Sequence, residues 1–320
     1  MPKQRKISIR KIIPRFIRQR LEGEYRWQLT KILPSLSSSL MQFGNFYPHL
    51  PNSDSYTLPA FPKYSRVSSE ATYPVPPSNL WVNYGTSAEE YLESGKQDVA
   101  KMREILAQSS NPIEGANRIL ELGCAAGRMV RWLDDLAASR EIWGVDIWAS
   151  AIHWCKENLS PPFHFATTTA SPHLPFEDRY FDCIYAGSVF THIEDLTDAW
   201  FLELRRILRP GGQLYFSLND RRAITVYEGQ ATAEELETHF KRVGGRANWT
   251  SFVDGFLRSA PEYQAFKRGD AVMATIARSA ASNVLWDAEF LCKQQEPFYR
   301  VLSITAKAYG HQTGVLLQRI

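Results

Sequence analysis

The chain has 320 residues, 44% hydrophobic and 22% charged, which is ordinary globular usage and enough for one large α/β domain with additions. A net charge of +3 is too small to argue for nucleic acid, and no dense basic patch interleaved with aromatics runs through the central sequence. The four cysteines lie far apart with no C-x-x-C pair, which speaks against a zinc knuckle or a disulfide framework and for a reducing, cytoplasmic setting.

Residues 1–33 form a basic arm, with Lys3, Arg5, Lys6, Arg10, Lys11, Arg15, Arg18 and Arg20 preceding the first acid, Glu22. Ile9, Ile12, Ile13, Phe16, Ile17 and Leu21 have helical spacing, but Pro14 interrupts them. The arm reads as solvated or loosely docked. Weak contact of residues 1–31 with an anionic membrane surface is a second reading, and an Arg-rich organellar presequence a third. No apolar run is long enough to span a bilayer, and no secretory signal is evident. Residues 34–80 form a Pro/Ser/Tyr-rich linker or strap, whose scattered rings argue for a strap packed on the main domain. The domain proper covers 81–320. It opens with a helix over 87–107, capped by Ser87 with Glu90 and interrupted by Gly95.

Arg118–Leu122 reads as a buried strand, followed by the small-residue turn E-L-G-C-A-A-G at 121–127. Met129, Val130, Leu133 and Leu136 then predict a helix. Small residues let a ligand approach the backbone, and a helix start would aim N–H groups at it. Glu121 repels a phosphate and suits a ligand carrying a cation. A nicotinamide fingerprint, G-x-G-x-x-G, fails from Gly123 at Ala125 and Arg128. The second strand, Glu141–Asp146, ends in an acid roughly 20 residues past the turn, where a carboxylate can accept from ribose hydroxyls. Ile147 and Trp148 could flank an adenine ring. A helix over 150–158 and a third strand over 163–166 follow. The fourth strand, Phe181–Ala186, runs into Gly187, Ser188 and His192, which ligands of open α/β sheets approach. A helix over 196–208, a fifth strand over 213–218 ending at Asn219, and an insertion over 221–297 come next. Helices are expected in the insertion at 234–242, capped by Thr232 with Glu235, and over most of 260–281. Residues 298–307 and 313–319 read as a closing hairpin around Tyr309, Gly310 and His311.

E-L-G-C-A-A-G resembles E-x-G-x-(G/A)-x-G, the first motif of the class I S-adenosylmethionine (SAM) methyltransferases, with Ala125 at the common middle glycine. F-D-C-I-Y-A-G-S-V-F-T-H-I and L-R-P-G-G resemble later landmarks of that superfamily, in the right order. The resemblance covers about 81–320. It implies an α/β fold, a doubly wound Rossmann-like seven-stranded sheet with an antiparallel C-terminal hairpin, a helical insertion between the fifth and sixth strands, and an extended N-terminal segment. It implies SAM as cofactor, no metal, and methyl transfer to a small molecule or a sugar or glycan precursor. The cofactor-binding candidates are Tyr84, Gly85, Glu121, Gly123, Cys124, Ala125, Gly127, Asp146, Ile147, Trp148, Thr169, Ala170, Gly187 and Ser188, with Gly95 as a further neighbour. Many members carry an Asp where Ala170 stands, so Thr169 or backbone would meet the adenine. His192 is the candidate general base, and the acceptor is expected between His192 and Asn219 under a cover from 221–297. The alternative from another class is a non-catalytic SAM- or nucleoside-binding scaffold acting through the basic arm. A dehydrogenase ranks third.

Overall fold

A computed structural model describes residues 73–82, 84–242, 253, 257–275 and 282–320. The basic arm and most of the strap lie outside the described residues. Five short segments form the parallel half of the main sheet: β1 (Arg118–Leu122), β2 (Glu141–Asp146), β3 (His164–Thr167), β4 (Phe181–Ala186) and β5 (Leu208–Leu218). They read as nearly continuous apolar runs because both faces of the sheet are covered. Leu120, Leu122, Val145, Ile184 and Phe216 pack on one face with Phe190 and Phe201. Ile119, Ile142, Tyr185 and Tyr215 pack on the other with Val99 and Met102, as the two-residue period of a strand requires.

Two short strands, β6 (Val272–Ala274) and β7 (Val284–Trp286), form a separate pair in the insertion. The closing hairpin is β8 (Tyr299–Tyr309) and β9 (Gln312–Arg319), with β9 lying antiparallel between β5 and β8. The seven-stranded order is therefore β3-β2-β1-β4-β5-β9-β8. The direction of strand addition reverses between β1 and β4, so the crevice lies at their C-terminal ends.

Helix α1 (Ala88–Ala107) starts at Ser87, whose Oγ accepts from the Glu90 amide at 3.2 Å. The Glu90 carboxylate reaches back to the amide of Thr86 at 2.7 Å, so the reciprocal bond falls one residue before the expected one. After Gly127 the expected helix is replaced by a 3-10 turn, Val130–Leu133, and a single α turn, α2 (Asp134–Ala137). A spacing of three puts Val130 and Leu133 on one face in either winding, so the apolar pattern alone does not separate them. Helices α3 (Ala149–Asn158) and α4 (Thr197–Ile207) lie within a residue of their expected ends. Strand β5 begins earlier than expected, at Leu208, and shifts register against β4 between Phe181 and Cys183.

The insertion is mixed rather than helical. It contains α5 (Ile224–Tyr227), α6 (Ala233–Arg242), α7 (Pro261–Arg268), the β6–β7 pair and α8 (Ala288–Gln295). The helix expected through 260–281 stops at Gly269, whose φ of +136° ends it, and Val272–Ala274 then pairs as a strand. Thr232 and Glu235 make both capping-box bonds, at 3.1 and 3.2 Å. Tyr227, Leu257, Tyr263, Phe266, Met273 and Leu285 give the insertion a small core of its own. Two backbone bonds fasten it to the strand ends: Val284 N–H to the Thr191 carbonyl and Trp286 N–H to the Asn219 carbonyl, both 2.8 Å. Among the described residues no helix is long and apolar enough to cross a membrane.

Gly144 sits mid-strand in β2, where a Cβ would lie 2.8 Å from Cys124 Sγ and 2.9 Å from the Phe165 ring. Gly144→Ala should therefore overpack the sheet and cost about 1–3 kcal/mol, lowering Tm by roughly 2–4 °C per kcal/mol. Thermal denaturation tests this; an unchanged Tm would mean that Cys124 and Phe165 yield without cost.

Candidate functional site

The turn after β1 is stitched to the end of β2. The amides of Gly123 and Cys124 both donate to the Val145 carbonyl, at 2.8 and 3.1 Å. Asp146 Oδ2 accepts from the Ala125 amide at 2.7 Å, and Oδ1 from the Trp148 amide at 2.8 Å. Gly123 has φ of +79°, and a Cβ there would lie 2.3 Å from Val189 Cγ2, so the position requires glycine. Ala125 also has positive φ, +44°, a region that costs an L-residue roughly 1–2 kcal/mol. The Asp146 bond holds its amide, while its carbonyl accepts from Cys155 Sγ at 3.5 Å.

Along these strand ends runs a cavity of about 890 Å³. Tyr84, Glu121, Gly123, Cys124, Ala125, Asp146, Ile147, Trp148, Thr169, Ala170, Gly187, Ser188 and His192 all line it. Three expected neighbours do not. Gly85 lies in the turn feeding α1, against the Tyr91 amide. Gly127 faces Leu159 and Cys155 on the far side of the turn. Gly95 lets α1 approach the Arg128 carbonyl, 2.3 Å from where a Cβ would stand. Nor does a helix start aim its amides at the cavity, because the residues after Gly127 form turns. Asn219, expected to flank the acceptor, is buried and bridged to Leu285, outside the lining.

Other lining residues were not singled out from the sequence: Leu80, Trp81 and Val82 from the segment before α1, Arg128 and Met129, Tyr227, Ser282 and Asn283 from the insertion that was expected to cover this side, and Tyr309 and Gln312 from the hairpin. Arg128 carried a signal, a charge set directly after Gly127 in an apolar run. Its guanidinium is buried, 2.7 Å from Asp98 and 3.1 Å from Ser94 Oγ; it donates to Tyr309 and lies 3.9 Å over the Tyr84 ring. The hairpin residues carried none, since their approach is purely tertiary. Gln312 donates to Ser188 Oγ at 2.8 Å and accepts from Ser217 Oγ at 2.7 Å; Ser217 in turn accepts the Ser188 amide. That network holds Ser188 at φ +60° on the cavity wall.

Two titratable groups mark the cavity. Burial pushes the Glu121 carboxyl up to about 8, against the downward pull of the Tyr185 hydroxyl, which donates to it at 3.0 Å, and of Arg128. His192 opens onto the cavity yet is ringed by protein, and burial lowers its pKa below the ordinary value, against the Ser282 carbonyl, which raises it. Its Nδ1 stands 2.7 Å from that carbonyl. A carbonyl only accepts, so Nδ1 carries the proton and Nε2 keeps a lone pair.

Glu121 makes a pH-dependent contribution of definite sign. Its folded pKa lies above its ordinary 4.5, so its contribution to stability is full below pH 4.5 and is lost as pH rises to about 8. Relative to Glu121→Gln, the wild-type chain should lose stability across that window and stay level above it. Urea denaturation from pH 5 to 9 checks this; parallel curves would mean that the carboxylate ionises freely in the fold.

Residues 120–216 match a family described as a methyltransferase domain. Over 143 residues the chain is 27% identical to a methyltransferase, GfsG, of Streptomyces halstedii, covering 42% of this chain and 49% of that protein. Over 152 residues it is 29% identical to a fatty-acid O-methyltransferase of Mycolicibacterium smegmatis, covering 45% and 53%. The chain thus spans about half the length of these curated relatives. Among solved structures, the PH0226 protein of Pyrococcus horikoshii aligns with a TM-score of 0.46 at 16% identity, over 69% of this chain and 89% of that one. The family match spans β1 to β5, the strands that carry the glycine turn and the Asp146 clamp, and over that region the chain is similar to methyltransferase domains.

Proposed function

We propose that the chain transfers a methyl group from SAM to a small-molecule acceptor, sugar and glycan precursors included. The observation that carries this is one cavity bounded by a buried carboxylate, Glu121, at the β1 end and a neutral, oriented imidazole, His192, beyond β4. The residues present fit the cofactor. Glu121 has one side-chain donor, Tyr185, and an ammonium group beside it would favour its ionised form and find acceptor capacity there. Each Asp146 oxygen accepts one amide and can take a ribose hydroxyl besides. Ile147, Trp148 and Val189 supply apolar surface for an adenine, with Thr169 and Ala170 at its edge. Cys124, Ala125, Gly187, Ser188 and Tyr84 line the space between.

When bound, SAM supplies an electrophilic methyl group on a sulfonium. The chain's own part is to align, exclude water and take a proton. His192 Nε2 is the acceptor for a proton from the nucleophile, and Ser282, from the insertion, fixes the tautomer. A proton-accepting Nε2 on the cavity wall supports the enzyme over the scaffold.

Calorimetry with S-adenosylhomocysteine tests the cofactor half. Asp146→Ala should weaken binding by about 1–3 kcal/mol through unpaired ribose hydroxyls; full affinity in that variant would remove Asp146 from the site. His192→Ala should lower kcat roughly 10²–10⁴-fold with cofactor affinity nearly intact. Joint loss of affinity and thermal stability would make His192 structural instead.

A further inference from the structure

Resting on the methyl-transfer reading with His192 as its base, we propose that Gln312 is a positioning residue for that base: its amide braces the turn that carries His192 to the cavity. Gln312 opens β9 and lies 124 residues beyond Ser188, yet a closed circuit of hydrogen bonds joins them. Gln312 Nε2 donates to Ser188 Oγ at 2.8 Å, and Ser217 Oγ, on β5, donates to Gln312 Oε1 at 2.7 Å. Ser217 Oγ accepts the Ser188 amide, also at 2.7 Å. Thr191 Oγ1 donates to the Ser188 carbonyl at 2.7 Å, which spends its one hydrogen. The 3.1 Å contact between Ser188 Oγ and Thr191 Oγ1 therefore runs from Ser188 to Thr191. Each hydrogen in the circuit then has one acceptor, and the Gln312 amide has one orientation. Turned over, it would draw the Ser188 hydrogen to its own oxygen and leave Thr191 one hydrogen for two acceptors. Gln312, Ser217 and Thr191 are 7%, 0% and 2% exposed, so water is poorly placed to replace a lost partner.

The brace works against strain. Ser188 is a non-glycine residue at φ +60°, a left-handed backbone that persists only where its surroundings hold it. His192 ends the turn so held: its amide donates to the Val189 carbonyl at 3.0 Å. Thr191, beside it, is pinned from the other side by the Val284 amide at 2.8 Å. The ring is tethered through Nδ1 to the Ser282 carbonyl at 2.7 Å. That tether fixes the tautomer only while the backbone beneath the ring stays in register with the insertion. A displacement of about 1 Å takes such a bond out of range and can cost roughly 10²-fold in rate. Gln312 also lines the cavity, so direct contact with a ligand is the rival role that a test must separate.

The test reads the His192 ring by nitrogen-edited NMR of the full chain with isotope-labelled histidine, unliganded and with S-adenosylhomocysteine; His192→Ala assigns the signal. The wild-type ring should be a single Nδ1–H tautomer. Gln312→Met removes both amide bonds at similar length, and should give a mixture of tautomers with loss of the Nδ1–H signal, ligand or no ligand. Gln312→Glu still accepts from Ser217 but cannot donate to Ser188. It should have the same effect, and it decides the question should Gln312→Met not fold. His164, on β3 at the far edge of the sheet, should keep its signals in both variants. An unchanged His192 tautomer in a folded variant overturns the proposal. So does a parallel change at His164, which would make Gln312 a general stabiliser, and so does a change seen only with S-adenosylhomocysteine bound, which would make it a ligand contact. Failure of S-adenosylhomocysteine to bind overturns the methyl-transfer reading instead, while the unliganded ring signals still decide on Gln312.

Discussion

One carboxylate holds the two loops that make the crevice. Asp146 accepts the Ala125 amide with one oxygen and the Trp148 amide with the other, joining the turn after β1 to the turn after β2. Burial raises the Asp146 pKa, and the amides of Trp148, Ala125 and Ile147 pull it back down. The left-handed backbone of Ala125 persists because its amide is held there. Neither oxygen exhausts its acceptor capacity on the backbone, so the group that braces the two turns keeps lone pairs on the cavity wall.

Around that clamp the cavity is assembled from pieces remote in sequence. Arg128 joins α1, the β1 turn and the hairpin through Asp98, Ser94, Tyr309 and Tyr84. Breaking one partner would leave a buried charge uncompensated, which is far costlier than losing a surface ion pair. The segment before α1 closes another side: Leu80 packs on Ala126 and Ala151, and Trp81 stacks on Tyr91 at 5.4 Å. The insertion contributes the Ser282 carbonyl, so the orientation of His192 depends on an element that is not part of the main sheet.

The strands are legible in the sequence because buried parallel strands are short apolar runs that end at polar or small residues. Arg118–Leu122, Glu141–Asp146 and Phe181–Ala186 keep their expected limits. Where two conformations share a pattern, legibility fails, as with Val130 and Leu133 in a 3-10 turn. It also fails where a single glycine outweighs a run of helix formers, as Gly269 does. At the site, the residues on the first four strand ends are locally signalled by turn chemistry. Tyr309, Gln312, Tyr227 and Ser282 are not, because only the closed sheet and the docked insertion bring them to the cavity. Asn219 shows the converse: it ends a strand at the expected place, but β7 docks on it and buries it.

The antiparallel placement of β9 has a consequence for the order in which the molecule matures during synthesis. The pairs Arg128–Tyr309 and Ser188–Gln312 close loops of 181 and 124 residues. Translation delivers β1 to β5 first, and they can pair among themselves as they emerge. Until residue 312 has left the ribosome, however, the buried guanidinium of Arg128 lacks its tyrosine and Ser188 lacks its amide brace. The nascent chain therefore passes through a stage with most of its sheet formed and a cavity wall still open. Contacts of such long sequence separation also form slowly. The cavity wall is thus completed only once β9 has emerged, and a chaperone that shields the edge of β5 before β9 arrives would protect the stage most prone to mispairing.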